Sequence, residues 1–246
     1  MQSKIWGSTI ALHITHSSSP IPYILSVPRL SYLPLLLPRL STFFGLPSSS
    51  FSYQGILLKN LPVGLLFDLY QPELPWRLDL GDGPLFDIHD TFVNSVKEAD
   101  FIRNGTARGV MSMSKEQSLQ MWNSVQDNDF ALFNKINTLL LNPATPLRHI
   151  PLRVYIPSSP SASATLGSFK IVQSLIPPLT AKREVQTLGS ALNKILPSLF
   201  PSRRDAILAE PILHGAPVPF KAPLEELMRE AAYADGWLHV CVEMLN

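Results

Sequence analysis

The sequence predicts an α+β protein in which one order of strands and helices occurs twice, on either side of a helical segment. Three observations predict it. Apolar residues recur at the strand period within residues 8–80 and again within 150–245, whereas residues 85–142 have the helical period. The 246 residues are enough for two or three small domains, each burying a modest core of its own. The predicted domains are residues 1–82, 83–144 and 145–246.

The first region follows the order strand, strand, helix, strand, short helix, strand. Ile10, Leu12 and Ile14 alternate with less apolar residues, which is typical of a strand with one buried face. Pro34 predicts a break or an irregular start in the helix after the second strand, and Pro62 suits the first position of the short helix. The predicted strands are residues 8–15, 22–27, 51–58 and 75–80, and the predicted helices are residues 30–44 and 63–70.

The middle region is predicted to be helical throughout. Asp87 can cap the first helix, and Asn104-Gly105 supplies a left-handed stop. Ser114 begins a capping box for the second helix. Asp127 is predicted to open a third helix that ends at Asn142-Pro143.

The third region repeats the strand and helix order of the first. Its predicted strands are residues 150–156, 169–176, 206–213 and 237–245, the last with Leu238, Val240, Val242 and Met244 facing inward. Thr187 caps a predicted helix that extends to Leu199, and Pro223 begins a shorter one. Residues 157–168, rich in Ser, Pro and Ala, are predicted to be a mobile connection.

This repeated order is that of the ubiquitin-like β-grasp, so we expect two such domains flanking a helix-rich domain. Fold alone assigns no function. Ubiquitin-like modifiers need a flexible tail that ends in glycine, whereas this chain stops at Met244-Leu245-Asn246 on its last strand. We therefore expect that it is not itself a modifier.

Composition limits the classes of partner. A net charge of +1 gives no electrostatic footprint for nucleic acid or for capture by an anionic membrane. Charged residues make up 16% of the chain, below the usual value of about 25%, which favours a surface covered by a permanent protein partner. We therefore expect any membrane attachment to depend on a complex.

The same composition indicates a reducing compartment. The chain has one cysteine, Cys241, which excludes an internal disulfide framework and favours the cytosol. The N-terminus lacks the apolar core of a signal peptide, and no apolar stretch reaches the uninterrupted run of about 20 residues that a membrane span needs.

No pattern in the sequence indicates catalysis, a cofactor or a metal. No two histidines have the i, i+4 spacing of a helical zinc site, and strand alternation would separate His13 from His16. Cys241 shares a strand face with His239, but a half-buried structural cysteine is the favoured interpretation. The remaining polar motifs have structural explanations: a turn at Gly81-Asp82-Gly83, a solvated loop rather than a lipid contact at Arg203-Arg204-Asp205, and a helix start at Glu225-Glu226.

Lys97 borders the apolar stripe of the first middle helix. Its aliphatic stem can lie on apolar surface while its amine remains in water. From pattern alone it is a surface lysine. Glu98 and Asp100, its neighbours in sequence, are expected to stabilise its charged form, so an approaching enzyme would have to promote loss of the proton.

Several segments, in collinear order from about residue 5 to 245, together resemble the autophagy protein 5 family. The resemblance lies in Ile5-Trp6, Pro22-Tyr23-Ile24-Leu25, Pro28-Arg29-Leu30-Ser31-Tyr32-Leu33, Pro62-Val63-Gly64-Leu65-Leu66-Phe67-Asp68-Leu69, Leu74-Pro75-Trp76, Lys97-Glu98-Ala99-Asp100, Met121-Trp122, Ile150-Pro151-Leu152-Arg153-Val154-Tyr155, Thr187-Leu188-Gly189 and Ile212-Leu213-His214-Gly215. The segments at residues 43–50 and 103–112 look shorter than in animal members. The chain begins almost at Trp6 and stops at its last predicted strand, which resembles compact fungal members.

The resemblance implies a non-enzymatic acceptor. The ubiquitin-like protein autophagy 12 would be joined through its C-terminal glycine to Lys97, by an activating enzyme, autophagy 7, and a conjugating enzyme, autophagy 10. A helix of the coiled-coil protein autophagy 16 would bind in a groove between the domains. The complex would then act like a ligase, stimulating autophagy 3 to transfer autophagy 8 to phosphatidylethanolamine.

The implied location is cytoplasmic and peripheral at the preautophagosomal membrane, with no cofactor. The alternative is a ubiquitin-like adaptor that binds another partner and in which Lys97 is incidental.

Overall fold

The computed structural model describes residues 1–84, 87–157 and 169–245, and within them two five-stranded sheets are separated in sequence by helices. The first sheet contains β1 (Thr9–His16), β2 (Ser19–Pro28), β3 (Ser50–Tyr53), β4 (Ile56–Leu57) and β5 (Trp76–Gly81). The second contains β6 (Leu152–Pro157), β7 (Phe169–Gln173), β8 (Ala209–Leu213), β9 (Ala216–Pro217) and β10 (Leu238–Met244).

Helices lie before, between and within the two sheet regions. They are α1 (Gln2–Trp6), α2 (Leu37–Phe44), α3 (Val63–Tyr70), α4 (Ile88–Asn104), α5 (Arg108–Met111), α6 (Lys115–Gln126), α7 (Phe130–Ile136), α8 (Leu188–Ile195) and α9 (Leu224–Ala231). A 3₁₀ turn, Leu33–Leu36, precedes α2, and a π turn, Asn137–Leu141, follows α7.

The two sheets have the same topology. Their strand orders are β2-β1-β5-β3-β4 and β7-β6-β10-β8-β9. In each, the first and last strands of the region form the parallel central pair, with Leu12 opposite Trp76 and Leu152 opposite Leu238. This arrangement confirms the predicted fold class, two ubiquitin-like domains flanking a helical domain.

The cores of the domains are not separate, in contrast to the expectation from chain length. One apolar cluster is built from the first sheet and its helix, and includes Leu12, Leu40 and Trp76. A second, larger cluster joins the second sheet to the helical domain and reaches Leu30 and Leu65 of the first domain. The second domain and the helical domain therefore share one continuous core.

Strand β10 is buried on both faces for this reason. Leu238 and Val240 face one side, and His239 and Cys241, which are 1% and 2% exposed, face the other. The Cys241 Sγ lies 3.8 Å from the Leu65 carbonyl oxygen of α3, so the first domain covers this face. The prediction that Met244 points inward was wrong, because its side chain is 49% exposed beyond the covered part of the strand.

Several element boundaries differ from the predictions. The predicted strand at 51–58 is two strands, because Gln54 and Gly55 both have positive φ and form a hairpin turn. The third middle helix is capped by Asp129 and not by Asp127, which instead ends α6. The predicted strand at 206–213 begins only at Ala209, and the helix predicted to extend to Leu199 ends at Ile195.

Two further segments differ. The regular part of the strand predicted at 169–176 ends at Gln173, and Ile176 then makes an isolated bridge to Ile150. The predicted helix at 30–44 is divided into the 3₁₀ turn and α2, as Pro34 indicated, and Pro38 lies in the first turn of α2. The connection predicted at 157–168 lies, beyond Pro157, outside the described residues.

Helix α1 was not predicted from the sequence. It packs away from its own sheet: the Gln2 side chain donates a hydrogen bond of 2.8 Å to the Arg229 carbonyl of α9, and the Trp6 ring lies 4.8 Å from the Phe133 ring of α7. The N-terminus therefore connects the helical domain to the second ubiquitin-like domain.

Candidate functional site

Helix α4 carries Lys97 and is fixed at both ends. The Asp87 carboxylate accepts a hydrogen bond from the Asp90 N–H at 3.0 Å, which caps the first turn. Gly105 ends the helix in the left-handed region, with φ of 73°. Between these caps, Phe92 and Val96 are 1% exposed and face the core. The helix therefore holds its outward side chains on a rigid support.

Lys97 is half-buried on the outer side of α4, as the pattern predicted. Among the described residues its amine forms neither an ion pair nor a hydrogen bond. Phe101, one turn further along the helix, is 56% exposed. The amine thus stands on a surface that has an apolar neighbour and no local counter-ion.

The two carboxylates closest to Lys97 in sequence are engaged elsewhere. Glu98 forms an ion pair with Arg153 of β6. Asp100 is 1% exposed and accepts hydrogen bonds from the Asn104 amide at 2.7 Å and the Val110 N–H at 3.1 Å. The expectation that these acids stabilise the charged form of Lys97 is therefore not supported by any direct pairing.

Arg153 fastens α4 to the second ubiquitin-like domain. Its guanidinium lies 3.8 Å from the centre of the Trp237 ring, and it donates to the Ser95 hydroxyl at 3.3 Å as well as to Glu98. The Trp237 indole N–H in turn donates to the Ser95 carbonyl at 3.0 Å. Helix and sheet are held by one set of hydrogen bonds and one ion pair.

Asp235 continues this network into the interior. It accepts from the Ser95 hydroxyl at 2.7 Å and contacts the His239 Nε2 at 2.9 Å, while the His239 Nδ1 lies 3.0 Å from the Tyr155 hydroxyl. Burial by itself raises the pKa of Asp235, but the His239 ring and the Ser95 and Trp237 donors outweigh it and hold the pKa below its usual value. This network holds α4 in place against the second ubiquitin-like domain.

Arg103 fixes the C-terminal end of α4. Its guanidinium is buried and donates to the carbonyls of Leu141 and, at 2.6 Å, of Gly236. Burial lowers the pKa of Arg103 to about 10, although Asp100 and Asp235 oppose the shift. The side chain remains charged at neutral pH, and it ties α4 to the π turn of its own domain and to the second ubiquitin-like domain.

A second contact joins the two ubiquitin-like domains directly. Arg29 and Asp68 form a buried ion pair in the first domain, and the Gly215 N–H of the second domain donates to Asp68 at 2.9 Å. Burial raises the pKa of Asp68, although Arg29 and the Gly215 N–H act against the shift. The pair therefore accepts a hydrogen bond from across the domain boundary.

An open cleft of about 400 Å³ lies where the three structural units meet. The first domain contributes Tyr32 and Leu61, α4 contributes Ser95 and Glu98, and the second domain contributes Arg153. We refer to this space as the junction cleft. It is lined by both polar and apolar side chains.

Three family models match consecutive parts of the chain. They are described as "Autophagy protein ATG5, UblA domain" over residues 5–81, "Autophagy protein ATG5, alpha-helical bundle region" over residues 87–143 and "Autophagy protein ATG5, UblB domain" over residues 149–242. Autophagy protein 5 of Sclerotinia sclerotiorum is 68% identical, over 100% of both chains.

The chain belongs to the autophagy protein 5 family.

Other comparisons agree with this. Autophagy protein 5 of Chaetomium globosum is 61% identical over 100% of this chain and 90% of the relative. The fold is similar to the crystal structure of Kluyveromyces marxianus Atg5, with a TM-score of 0.80, 22% identity and 98% of each chain covered. The resemblance inferred from sequence segments is thus confirmed: this is an autophagy protein of the ubiquitin-like conjugation machinery.

The other candidate residues are engaged in local structure. Cys241 is more deeply buried than predicted, and this burial raises the pKa of its thiol well above the usual value. Arg203 donates to the Asn193 side chain at 3.0 Å in an exposed loop, and Glu225 lies in the first turn of α9. None of these arrangements prepares a group for catalysis.

One group of possible metal ligands occurs among the described residues. The ligand atoms of Asp87, His89 and Asp90 lie within 4.8 Å of one another at the start of α4. Asp87 is already used as the helix cap, and exposed acidic groups of this kind are common without an ion. Within the described ranges, no helix is both long enough and apolar enough to cross a membrane.

Sequence reasoning missed the residues that hold α4 in place, namely Arg153, Asp235, His239 and Arg103. The available signal was a charged or polar residue within otherwise apolar segments, as at Arg153 in β6 and His239 in β10. Buried polar residues need partners, but the sequence does not identify which ones.

Proposed function

We propose that this protein is a non-enzymatic acceptor of the ubiquitin-like modifier autophagy 12, joined at Lys97. The Lys97 amine, once it has lost a proton to solvent or to the enzyme, attacks the thioester carbonyl between the modifier's C-terminal glycine and a cysteine of autophagy 10. An isopeptide C–N bond forms, the C–S bond breaks, and the enzyme thiol leaves. Autophagy 7 charges the modifier beforehand.

The observation that carries this proposal is that the Lys97 amine has no carboxylate partner among the described residues. A neighbouring carboxylate would favour the protonated amine, which cannot attack a thioester. Glu98 and Asp100 bond to Arg153, Asn104 and Val110 instead, so the amine has no such partner among the described residues. Its helix is capped at both ends and fastened through Arg103, which limits the freedom of the acceptor.

We extend the proposal to the assembled complex. With a helix of autophagy 16 in a groove between the domains, the conjugate acts like a ligase and stimulates autophagy 3 to transfer autophagy 8 to phosphatidylethanolamine. The chain itself then needs no catalytic residue and no cofactor. The proposed location is the cytoplasm and, through the complex, the preautophagosomal membrane. The proposed domains remain residues 1–82, 83–144 and 145–246.

A reconstituted conjugation reaction tests the acceptor. The wild type, Lys97→Arg and the control Lys115→Arg, which alters an exposed lysine on α6, are incubated with autophagy 7, autophagy 10, autophagy 12 and ATP. We expect the wild type and Lys115→Arg to gain the mass of one modifier and Lys97→Arg to remain unmodified. Peptide mass spectrometry should locate the glycine remnant on Lys97.

Two results would contradict the proposal. Full conjugation of Lys97→Arg would place the bond at another lysine. Absence of conjugation in all three proteins, when each has the thermal midpoint of the wild type, would favour the adaptor alternative, in which the junction cleft binds a partner and Lys97 is incidental.

A further inference from the structure

The outer strands β2 and β7 occupy corresponding positions in the two ubiquitin-like sheets, and no further strand among the described residues pairs with either. An outer strand has backbone N–H and C=O groups directed away from its sheet, and these can pair with another chain. The two edges differ in how many such groups they present.

The pairing of β6 with β7 shows which residues point outward. The Ile150 N–H donates to the Ile176 carbonyl at 2.8 Å, and the same register pairs Val154 with Val172. Antiparallel strands bond through alternate residues, so Val172 and Lys170 bond inward. Phe169, Ile171 and Gln173 therefore direct their backbone groups outward, and none of them is a proline.

The edge of the first sheet is blocked by comparison. The Arg29 N–H donates to the Ser8 carbonyl at 3.0 Å, and Val27 pairs with Ile10, so Val27, Leu25 and Tyr23 bond inward, up to the register shift between Ile14 and His16. Ile24, Ser26 and Pro28 therefore direct their backbone groups outward, and Pro20 and Pro22 lie in the irregular stretch before them. Pro20, Pro22 and Pro28 lack an N–H, and prolines on outer strands hinder strand addition in this way.

The outward residues of β7 also have side chains beside the junction cleft. They share the sheet face of Arg153, whose Nε donates to the Gln173 side chain at 3.2 Å. The Lys59 amine lies 4.4 Å from the centre of the Phe169 ring, at the other end of the strand. Between them, Ile171 is 46% exposed. An added strand would therefore meet an apolar side chain next to a cation.

The free charge at this edge is positive. Among the described residues, neither Lys59 nor Lys170 forms an ion pair, whereas the two carboxylates that line the cleft, Glu98 and Asp235, are already paired with Arg153 and His239. A segment that binds here gains from carboxylates and is repelled if it carries cations.

We propose that the outer edge of β7 is a docking site for an extended acidic peptide. The peptide adds a sixth strand next to β7, pairing with the backbone of Phe169, Ile171 and Gln173. Its bulky apolar side chains pack on Ile171, and its carboxylates face Lys59. The site is separate from Lys97, and its occupant is a strand rather than a helix.

Binding to the full chain tests this directly. The probe is a fluorescently labelled ten-residue peptide in which one strand face carries isoleucine and aspartate in turn and the other face carries threonine, so that both side-chain types reach the face of Ile171 and Phe169. Its matched control replaces every aspartate with lysine. Ile171→Pro removes one outward N–H without touching a bond to β6, in the manner of the β2 prolines. Lys59→Glu reverses the edge charge. The control Ile24→Pro adds a proline to the edge that is already blocked.

We expect the acidic peptide to bind the wild type and Ile24→Pro equally and to bind Ile171→Pro and Lys59→Glu at least about tenfold more weakly. Hydrogen exchange should slow at the amides of Phe169, Ile171 and Gln173 when the peptide is present. If Ile171→Pro lowers the thermal midpoint, its weaker binding is attributed to lost folding. The binding of Lys59→Glu, which changes an exposed residue, then tests the proposal. Equal binding by all variants, equal binding of the lysine peptide, protection elsewhere, or no binding at millimolar peptide would each overturn the proposal.

Discussion

His214 makes the contact between the two ubiquitin-like domains sensitive to acid. It lies in the turn between β8 and β9, with φ of 52°, next to the Gly215 N–H that bonds Asp68. Its Nε2 is 2.9 Å from the Ala231 carbonyl, and its ring stacks on Tyr233 at 4.4 Å. The Nδ1 is buried and has no hydrogen-bond partner among the described residues. A second proton on the ring would therefore be placed on a buried atom without an acceptor.

Burial lowers the pKa of His214 to about 4; the positive charges of Arg29 and His239 act in the same direction, and the bond to Ala231 opposes them. In the unfolded chain the pKa is about 6.5. Because the folded pKa is the lower one, the stabilisation is complete above the unfolded pKa and is lost as the pH falls toward the folded pKa. Linkage between these two values removes about 2 kcal/mol of unfolding free energy between pH 7.5 and pH 5.0.

The measurement is urea unfolding of the wild type and His214→Asn at pH 7.5, 6.0 and 5.0. Asparagine tolerates the left-handed backbone, so the variant removes the titrating ring without adding strain. We expect the wild type to lose about 2 kcal/mol more than the variant over this range. The control His89→Asn, whose ring is 45% exposed, should follow the wild type. Equal losses in His214→Asn and the wild type would refute the reasoning, as would an NMR titration of His214 close to pH 6.5.

Two substitutions test the packing around the acceptor helix. Phe92→Ala should lower the unfolding free energy by about 3–5 kcal/mol because of the cavity it leaves. Phe101→Ala, at a 56% exposed position on the same helix, should change the unfolding free energy by less than about 0.5 kcal/mol. Similar losses in both variants would contradict the assigned faces of α4. Asp235→Ala should lower the unfolding free energy by about 3–5 kcal/mol, since it leaves His239 and the Ser95 hydroxyl without their acceptor. The control Asp205→Ala, at an exposed position, should leave the unfolding free energy from urea denaturation almost unchanged. A loss below about 1 kcal/mol for Asp235→Ala would show that the network contributes little to stability.

Capping residues predicted the helix ends correctly where only one residue nearby could act as the cap. Asp87, the Ser114 capping box and Gly105 all act within four residues of their own positions, and all are present in the structure. Asp127 and Asp129 compete in one short loop, and the outcome depends on where α6 ends. The Asp129 N–H donates to the Ser124 carbonyl at 2.8 Å, a contact that no cap rule anticipates.

Burial was predicted less well than periodicity. Alternation located β10 but implied one buried face, whereas His239 and Cys241 are as deeply buried as Val240. A period of two indicates which residues share a face, and it contains no information about what covers that face. Here the cover is α3, from more than 160 residues earlier in the chain, as the contact between Cys241 and Leu65 demonstrates.

The sequence by itself determined the order of strands and helices, the repeated ubiquitin-like pattern, the family and the position of Lys97 on a capped helix. These depend on interactions between neighbouring residues and on motif order, both of which are written along the chain. Only the tertiary structure decided that Glu98 and Asp100 turn away from Lys97, and that β7 is the outer strand of the second sheet, unpaired on its outer edge by any described residue. Arg153, the partner of Glu98, comes from another domain, and a sequence pattern does not specify contacts at that separation. The partners of Asp100 are nearby in sequence, but the carboxylate reaches Val110 only because the chain turns back after Gly105.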